Sequence, residues 1–424
     1  MRKASLWQRL FGVERAVVED VEFDAGREVV VVHARPNARA RRRCGLCGRR
    51  CPRYDQGEGR RRWRTLDLGT VRAFVEADAP RVRCRRHGVV VAGVPWARHG
   101  AGHTRLFDDQ VAWLAVACSK SAVCQLMRVA WRTVGAIVSR VSADIDATVD
   151  RLDGLRRIGI DEISYKKGHK YLTVVVDHDT GRLVWAAPGH DSRVLGAFFT
   201  TLGPQRCAQI THVSADAADW IAKAVTAHCP NAVRCADPFH VVAWATEALD
   251  EERRRAWNAA AGRRSTRRGD ATRNQGALGH ARALKRARWC LWKNPENLTS
   301  HQQAKLAWIA KTDPRLHRAY LLKEGLRHVF TIKGDDGKQA LNLWCRWAQR
   351  CRIPAFVDLG RKIKRHRDAI DATLDCGLSN ALIESVNTKI RLITRIAFGF
   401  KDPHALIALA MLSLGGYRPA LPGR

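Results

Sequence analysis

Two short spacings constrain this chain more than any other feature: Cys44-x2-Cys47 and Cys84-x2-His87, each followed directly by glycine. A C-x2-C turn lets two side chains grip one ion, and a second such turn closes a tetrahedral set of the kind zinc takes. Strand-like runs at 65–68 and 71–77 lie between the knuckles, and residues 14–34 alternate as strands do (Val17, Val21, Phe23, then Val29 to His33). Residues 1–95 are therefore expected to form a strand-rich zinc ribbon, each knuckle a turn between strands. Cys44, Cys47, Cys84 and His87 fill all four positions, so the expected ion is one structural Zn²⁺. Cys51 is a spare thiol able to replace a ligand. An odd total of 13 cysteines, with no secretion signal ahead of them, points to reduced thiols rather than a disulfide framework.

The 424 residues carry 74 Lys+Arg against 41 Asp+Glu, a net charge of +33. An arginine-led excess of this size calls for a polyanion partner, and nucleic acid fits because guanidinium groups take phosphate bidentately. Arg41 to Arg43 and Arg60 to Arg62 would present phosphate contacts on the rigid ribbon. A membrane is the rival partner, but no apolar run reaches 18 residues and no signal-peptide core follows Met1. The expected location is the cytoplasm, facing DNA.

Residues 96–150 turn helical. Phe107–Cys118 and Ser121–Met127 read as two helices, and a third runs from Thr133 to Ile145. Three short helices at this spacing fit a helix-turn-helix, whose last helix enters the major groove of double-stranded DNA. Arg132, Thr133 and Arg140 are the expected contacts.

Three carboxylates carry the chemistry. Asp161 lies in the strand-like run Ile158-Gly-Ile-Asp161, among residues that look buried, where an acid must be paired or hold a metal. Asp216 follows the strand ending at Ser214. Glu384 sits on an amphipathic helix whose apolar stripe is Leu382, Val386, Ile390 and Ile393, with Thr388, Arg391 and Arg395 sharing its own face. Oxygen ligands of this kind suit Mg²⁺, and two ions sharing an aspartate would assist both attacking and leaving oxygens. Asp237, with His240, leaves the next strand toward the same edge and is the rival for the second position; otherwise the two are supporting residues. Residues 151–241 would form the first part of the core, 242–375 a helical insertion with a loop at 261–279, and 376–424 the final core helices.

Taken in order, these pieces resemble transposases of bacterial insertion sequences of the ISL-three type. Cys44-Gly-Leu-Cys47, Ile158-Gly-Ile-Asp161-Glu162, Val213-Ser-Ala-Asp216, Asp237-Pro-Phe-His240, Ala319-Tyr-Leu-Leu-Lys-Glu324, Ser379-Asn-Ala-Leu-Ile-Glu384-Ser-Val-Asn387 and Arg395-Ile-Ala-Phe-Gly399 carry the likeness. His87 stands where that family commonly has cysteine. The resemblance implies a multidomain α+β protein: a zinc ribbon, a helix-turn-helix, and a ribonuclease H-like mixed α/β core interrupted by an all-helical insertion. It implies a DDE set of Asp161, Asp216 and Glu384 with two Mg²⁺ ions, acting on the terminal inverted repeats of an element. Trp289 and Trp292 would stack on a flipped base, and Lys389, Arg391 and Arg395 would hold the transferred strand. Both ends must be cut together, so a homodimer or larger synaptic complex is expected. A non-catalytic DNA-binding regulator and a structure-specific nuclease are the competing readings.

Overall fold

The computed structural model describes residues 3–215, 218–262 and 271–421. The chain divides into two compact units, Met1–Arg151 with Ile393–Arg424, and Leu152–Leu392.

In the first unit, α1 (Lys3–Leu10) leads into β1 (Ala16–Asp24), β2 (Val29–Pro36), β3 (Arg53–Asp55), β4 (Arg60–Arg64), β5 (Arg72–Asp78), β6 (Arg81–Cys84) and β7 (Gly88–Val91). They make two sheets, β1-β2-β5-β4 and β3-β6-β7. The larger sheet buries Val30, Val32, Trp63, Ala73 and Val75 against Phe11, Val13 and Trp96. Period-2 alternation splits the arginine block expected to act as one platform. Arg60 and Arg62 reach Glu76 at 3.1 and 2.8 Å, whereas Arg61 donates to the Ala101 carbonyl and lies over Trp63.

Three helices follow. Thr104 caps α2 (Arg105–Ala117) by accepting from the Phe107 N–H, and Ser119 caps α3 (Lys120–Met127) by accepting from the Ala122 N–H. Arg128, left-handed at φ 51, ends α3 and turns the chain into α4 (Trp131–Asp146). Phe107, Val111, Val123, Ile137 and Val141 form their core, and the C-terminal helix (Pro403–Leu414) adds Ala408 and Leu412 to it. By their contacts, residues from Ile393 onward group with 1–151. The C-terminal helix is apolar on most sides, so its pattern does not say which core accepts it. Arg151 fastens the tail, donating to the Gly415 carbonyl at 2.8 Å beneath the Tyr417 ring.

Arg140 is engaged within this unit. Its guanidinium forks onto Asp108 with both bonds at 2.9 Å, and Asp108 is wholly buried. Arg98 completes the network on Asp108, Asp109 and Asp144. Arg140 therefore holds α4 onto α2 and is half-buried like Thr133, while Arg132 stays exposed. Replacing Asp108 by Ala leaves the Arg140 guanidinium without its carboxylate, while Arg98 keeps Asp109 and Asp144, a loss of about 3–5 kcal/mol. Urea unfolding of the full chain is expected to show that loss in its first transition; an unchanged transition together with lost DNA affinity in Arg140→Ala would support the DNA-contact role.

The second unit opens with β8 (Arg157–Lys166), β9 (Lys170–Asp177) and β10 (Leu183–Pro188), then α5 (Ser192–Leu202), α6 (Pro204–Cys207), β11 (His212–Ala215), α7 (Asp219–His228) and β12 (Val233–Ala236). The sheet order is β10-β9-β8-β11-β12. β9 runs antiparallel to both its neighbours, and β8, β11 and β12 are mutually parallel. Ile158, Ile160 and Val213 bury against Leu195, Phe198 and Phe199 of α5.

An all-helical stretch then builds a separate core: α8 (Pro238–Gly262), α9 (Ala271–Lys285), α10 (Arg288–Trp292), α11 (Ser300–Thr312), α12 (Pro314–Val329), α13 (Gly334–Arg350), α14 (Pro354–Arg365) and α15 (Arg367–Cys376). Leu249, Leu284, Leu291, Ile309, Leu322, Leu341 and Phe356 fill it. Of the expected loop at 261–279, residues 271–279 belong to α9 and 263–270 lie outside the described residues. α15 returns to the sheet, where Thr373 Oγ1 donates to the Ala236 carbonyl at 2.7 Å and the Cys235 and Cys376 sulfurs stand 3.3 Å apart. The chain then enters α16 (Ala381–Ile396).

Candidate functional site

The carboxyl ends of β11 and β12 lie level with the middle of β8, since Ala215 pairs with Ile160 on one side and Ala236 on the other, and they form an edge there. α16 is tied to this edge at two points. At β12, Asp237 accepts from the Asn380 N–H at 3.2 Å while its second oxygen accepts from the His240 N–H and ring. At β8, the Asn387 amide donates to Asp161 Oδ2 at 2.7 Å. The seven steps from Asn380 to Asn387 advance about 10 Å along a helix. Two strand spacings also come to about 10 Å. The helix is thus pinned beside both β12 and β8, with Glu384 between the two anchors in sequence.

Each expected carboxylate has a different standing. Asp161 is half-buried rather than sealed in the core, and its Oδ1 accepts from the Glu162 N–H at 2.8 Å. Glu384 is exposed. Asp216 lies outside the described residues, directly after Ala215 in sequence. Asp237 is 3% exposed, and as N-cap of α8 it already accepts three hydrogen bonds. Burial pushes its carboxyl up, but the His240 side chain and the Asn380 N–H outweigh that and hold it below the ordinary aspartate value. Among the described residues, Asp161, Asp237 and Glu384 do not converge as one ligand set. Asn380 and Asn387, four before and three after Glu384 in sequence, were not among the expected site residues. Their place in the Ser379–Asn387 segment was the available signal.

The zinc set does converge. Cys44, Cys47, Cys84 and His87 bring their ligand atoms within 4.8 Å of one another. The Cys47–Cys84 sulfurs are 3.7 Å apart, and His87 Nδ1 lies 3.5 Å from Cys44 Sγ and 3.8 Å from Cys84 Sγ. A tetrahedron with bonds of about 2.3 Å has edges near ~3.8 Å, so the residues fit the ion. Backbone N–H groups of Arg86 and His87 draw the Cys84 thiol down to about 6, toward the thiolate a metal needs. Gly48 and Gly88, both at φ 68, provide the left-handed turn after each knuckle. Cys51 does not belong to the set; its thiol donates to the Arg49 carbonyl at 3.3 Å.

On α16, Lys389, Arg391 and Arg395 are exposed, while Val386, Asn387 and Ile390 are buried. In the helical stretch Trp289 is 60% exposed. Trp292 packs against the helical core with the Arg288 guanidinium 3.8 Å from its ring centre. The structure thus separates the two expected stacking residues: Trp289 offers a face, and Trp292 is largely core. Among the described residues no helix is long and apolar enough to cross a membrane.

Family comparisons match all three parts. The ISL3-type DDE model, described as "Transposase", covers residues 158–410. The "helix-turn-helix domain of transposase family ISL3" covers 94–142, and the "zinc-finger of transposase IS204/IS1001/IS1096/IS1165" covers 40–87. A transposase for insertion sequence element IS1557 from Mycobacterium tuberculosis is 66% identical over 439 aligned residues, covering 100% of this chain and 98% of the relative. A transposase for insertion sequence element IS1001 from Bordetella parapertussis is 28% identical over 416 residues, covering 95% of this chain and 96% of the relative.

Proposed function

The chain belongs to the ISL3 family of insertion-sequence transposases, and from that premise we propose that it binds the terminal inverted repeats of its element and catalyses Mg²⁺-dependent DNA cleavage and strand transfer. The observation that carries the reading is the double anchoring of α16, at Asp237 and at Asp161, with Glu384 between the anchors in sequence. The mixed sheet order, with β9 antiparallel to the other four strands, supports a ribonuclease H-like core. The helices of 238–376 then stand as an insertion between the last strand and the glutamate helix.

Asp161, Asp216 and Glu384 are the residues that would hold two Mg²⁺ ions. The donors are all oxygen, as Mg²⁺ prefers. Asn380 Oδ1 and Nδ2 and Asn387 Oδ1 are buried without a hydrogen-bond partner among the described residues. This edge therefore has polar capacity beyond what those residues use. When bound, the ions supply a more nucleophilic oxygen and charge stabilisation at the leaving one. The protein's own part is positional. Asn387 steadies Asp161, the Asp237–His240 pair fixes the start of α16, and Lys389, Arg391 and Arg395 grip the strand whose end is processed. Arg132 and Thr133 read the repeat, Trp289 offers a stacking face for an unpaired base, and a homodimer or larger complex joins the two ends.

The test is Mg²⁺-dependent cleavage of linear DNA carrying the element ends, with Asp216→Asn and Asp237→Asn compared. Asp216→Asn is expected to lose cleavage at unchanged stability. Asp237→Asn is expected to lose about 1–3 kcal/mol of stability, because it disturbs a buried, hydrogen-bonded carboxylate. Loss of cleavage in Asp237→Asn alone, with normal unfolding, would make Asp237 the second ligand. End-specific binding without cleavage by the wild-type chain would make it a regulator.

A further inference from the structure

A cleft of about 640 Å³ opens in the first unit between the Cys44 knuckle, the start of α2 and the four-stranded sheet. Its size is within the range of specific ligand sites. Arg15, Arg39, Arg43, Arg61, His99 and Arg105 line it around Trp63, and no Asp or Glu is among the lining residues. The two faces of β4 make the contrast clear. On one face Arg60 and Arg62 share Glu76; on the other, Arg61 faces the cleft and meets no carboxylate among the described residues. The Arg15 and Arg39 side chains have no hydrogen-bond or ion-pair partner among the described residues, so their charge is open to a ligand.

The walls are preorganised. Arg43 braces one of them by donating to the Arg39 and Gly48 carbonyls, both at 3.0 Å. Gly45 presses so close that an added Cβ would stand 2.2 Å from His99 Nδ1 and 2.8 Å from the Val91 carbonyl. On the far side Arg98 and Arg105 reach Asp144 of α4 at 3.0 and 3.1 Å. The cleft is thus joined to the helix-turn-helix through ion pairs rather than through a flexible linker. Walls fixed before binding lower the ordering cost of taking a ligand.

We propose that this cleft seats the phosphodiester backbone of duplex DNA beside the segment read by the helix-turn-helix, an assignment that rests on the DNA-binding reading above. A polyanion with regularly spaced charges matches several guanidinium groups around one groove, and each phosphate neutralised releases counterions. The contact is independent of sequence and sets register for the recognition helix.

The experiment is a salt titration of fluorescence anisotropy, using the full zinc-loaded chain and two labelled duplexes, one with the element end and one of unrelated sequence. Arg15→Gln/Arg39→Gln is the main variant, because neither side chain holds the fold together. Arg61→Gln is the second variant, and zinc content and melting are checked for both. The main variant is expected to weaken both duplexes alike. Its slope of log affinity against log salt should shrink by about 1.8, two phosphates at about 0.9 each. Unchanged slopes in both variants, with normal wild-type binding, would overturn the cleft and leave the DNA-binding reading standing. Failure of the wild-type chain to bind either duplex would overturn both. Tight binding of inorganic phosphate that the variants abolish, at unchanged DNA slopes, would assign the cleft to a free anion instead and overturn the proposal.

Discussion

Glu384→Gln is expected to lower Mg²⁺-dependent cleavage of element-end DNA by at least about 10²–10³-fold, the scale on which losing one preorganised electrostatic element acts. DNA affinity and melting should stay as in the wild type. The reasons are local. Gln keeps the shape and removes only the charge. The Glu384 side chain is exposed, so the expected stability change stays within about 0.5 kcal/mol. The backbone bond from its N–H to the Asn380 carbonyl, 2.8 Å, is untouched, so the entry of α16 persists. Single-turnover cleavage, anisotropy and thermal melting measured on one preparation separate the possibilities. Cleavage at the wild-type rate would remove Glu384 from the chemistry. A parallel fall in affinity and melting would make it a structural residue.

What the sequence discloses depends on how local the physics is. The zinc set is readable because two knuckles of fixed x2 spacing each carry their own geometry, and only the joining of the two is left to the fold. The face of α16 is readable for the same reason, since helical period alone sorts Val386 and Ile390 inward from Glu384 and Arg391 outward. Partners distant in sequence are not readable. Arg140 looks the same on its helix whether its partner is a phosphate or Asp108, 32 positions away. Asn387 passes as an ordinary polar residue until Asp161, 226 positions earlier, is seen to accept from it. The rivalry between Asp216 and Asp237 is similar. Both follow strands toward one edge, and only the hydrogen bonds from His240 and Asn380 reveal that Asp237 is already a cap and a clamp. The arginine block at 60–62 falls between these cases: period-2 alternation was available in the sequence, yet which face met Glu76 was not.

Removing zinc is expected to collapse the ribbon and DNA binding together. The three-stranded sheet has strands of only 3, 4 and 4 residues. Its buried cluster is Cys44, Cys51, Val82 and Cys84, with Cys47, Val90 and Ala92 partly covered. Three of the four buried residues are cysteines and two are ligands, so little apolar area remains to offset chain entropy without the ion. Metal-binding free energy then acts as folding free energy for this segment. Loss of the knuckle also frees the Gly45–Gly48 wall of the basic cleft, so chelation should flatten the salt dependence of DNA binding before it alters the second unit. Chelator-treated protein and Cys84→Ser are expected to carry well under one zinc per chain, to be cut by protease within the ribbon, and to lose the wild-type salt slope. His87→Cys should keep the metal and the slope, because zinc accepts either donor at that corner, whereas His87→Ala should not. A chelated chain with unchanged protease resistance and unchanged DNA affinity would show that the apolar cluster suffices by itself and that the four ligands are dispensable to the fold.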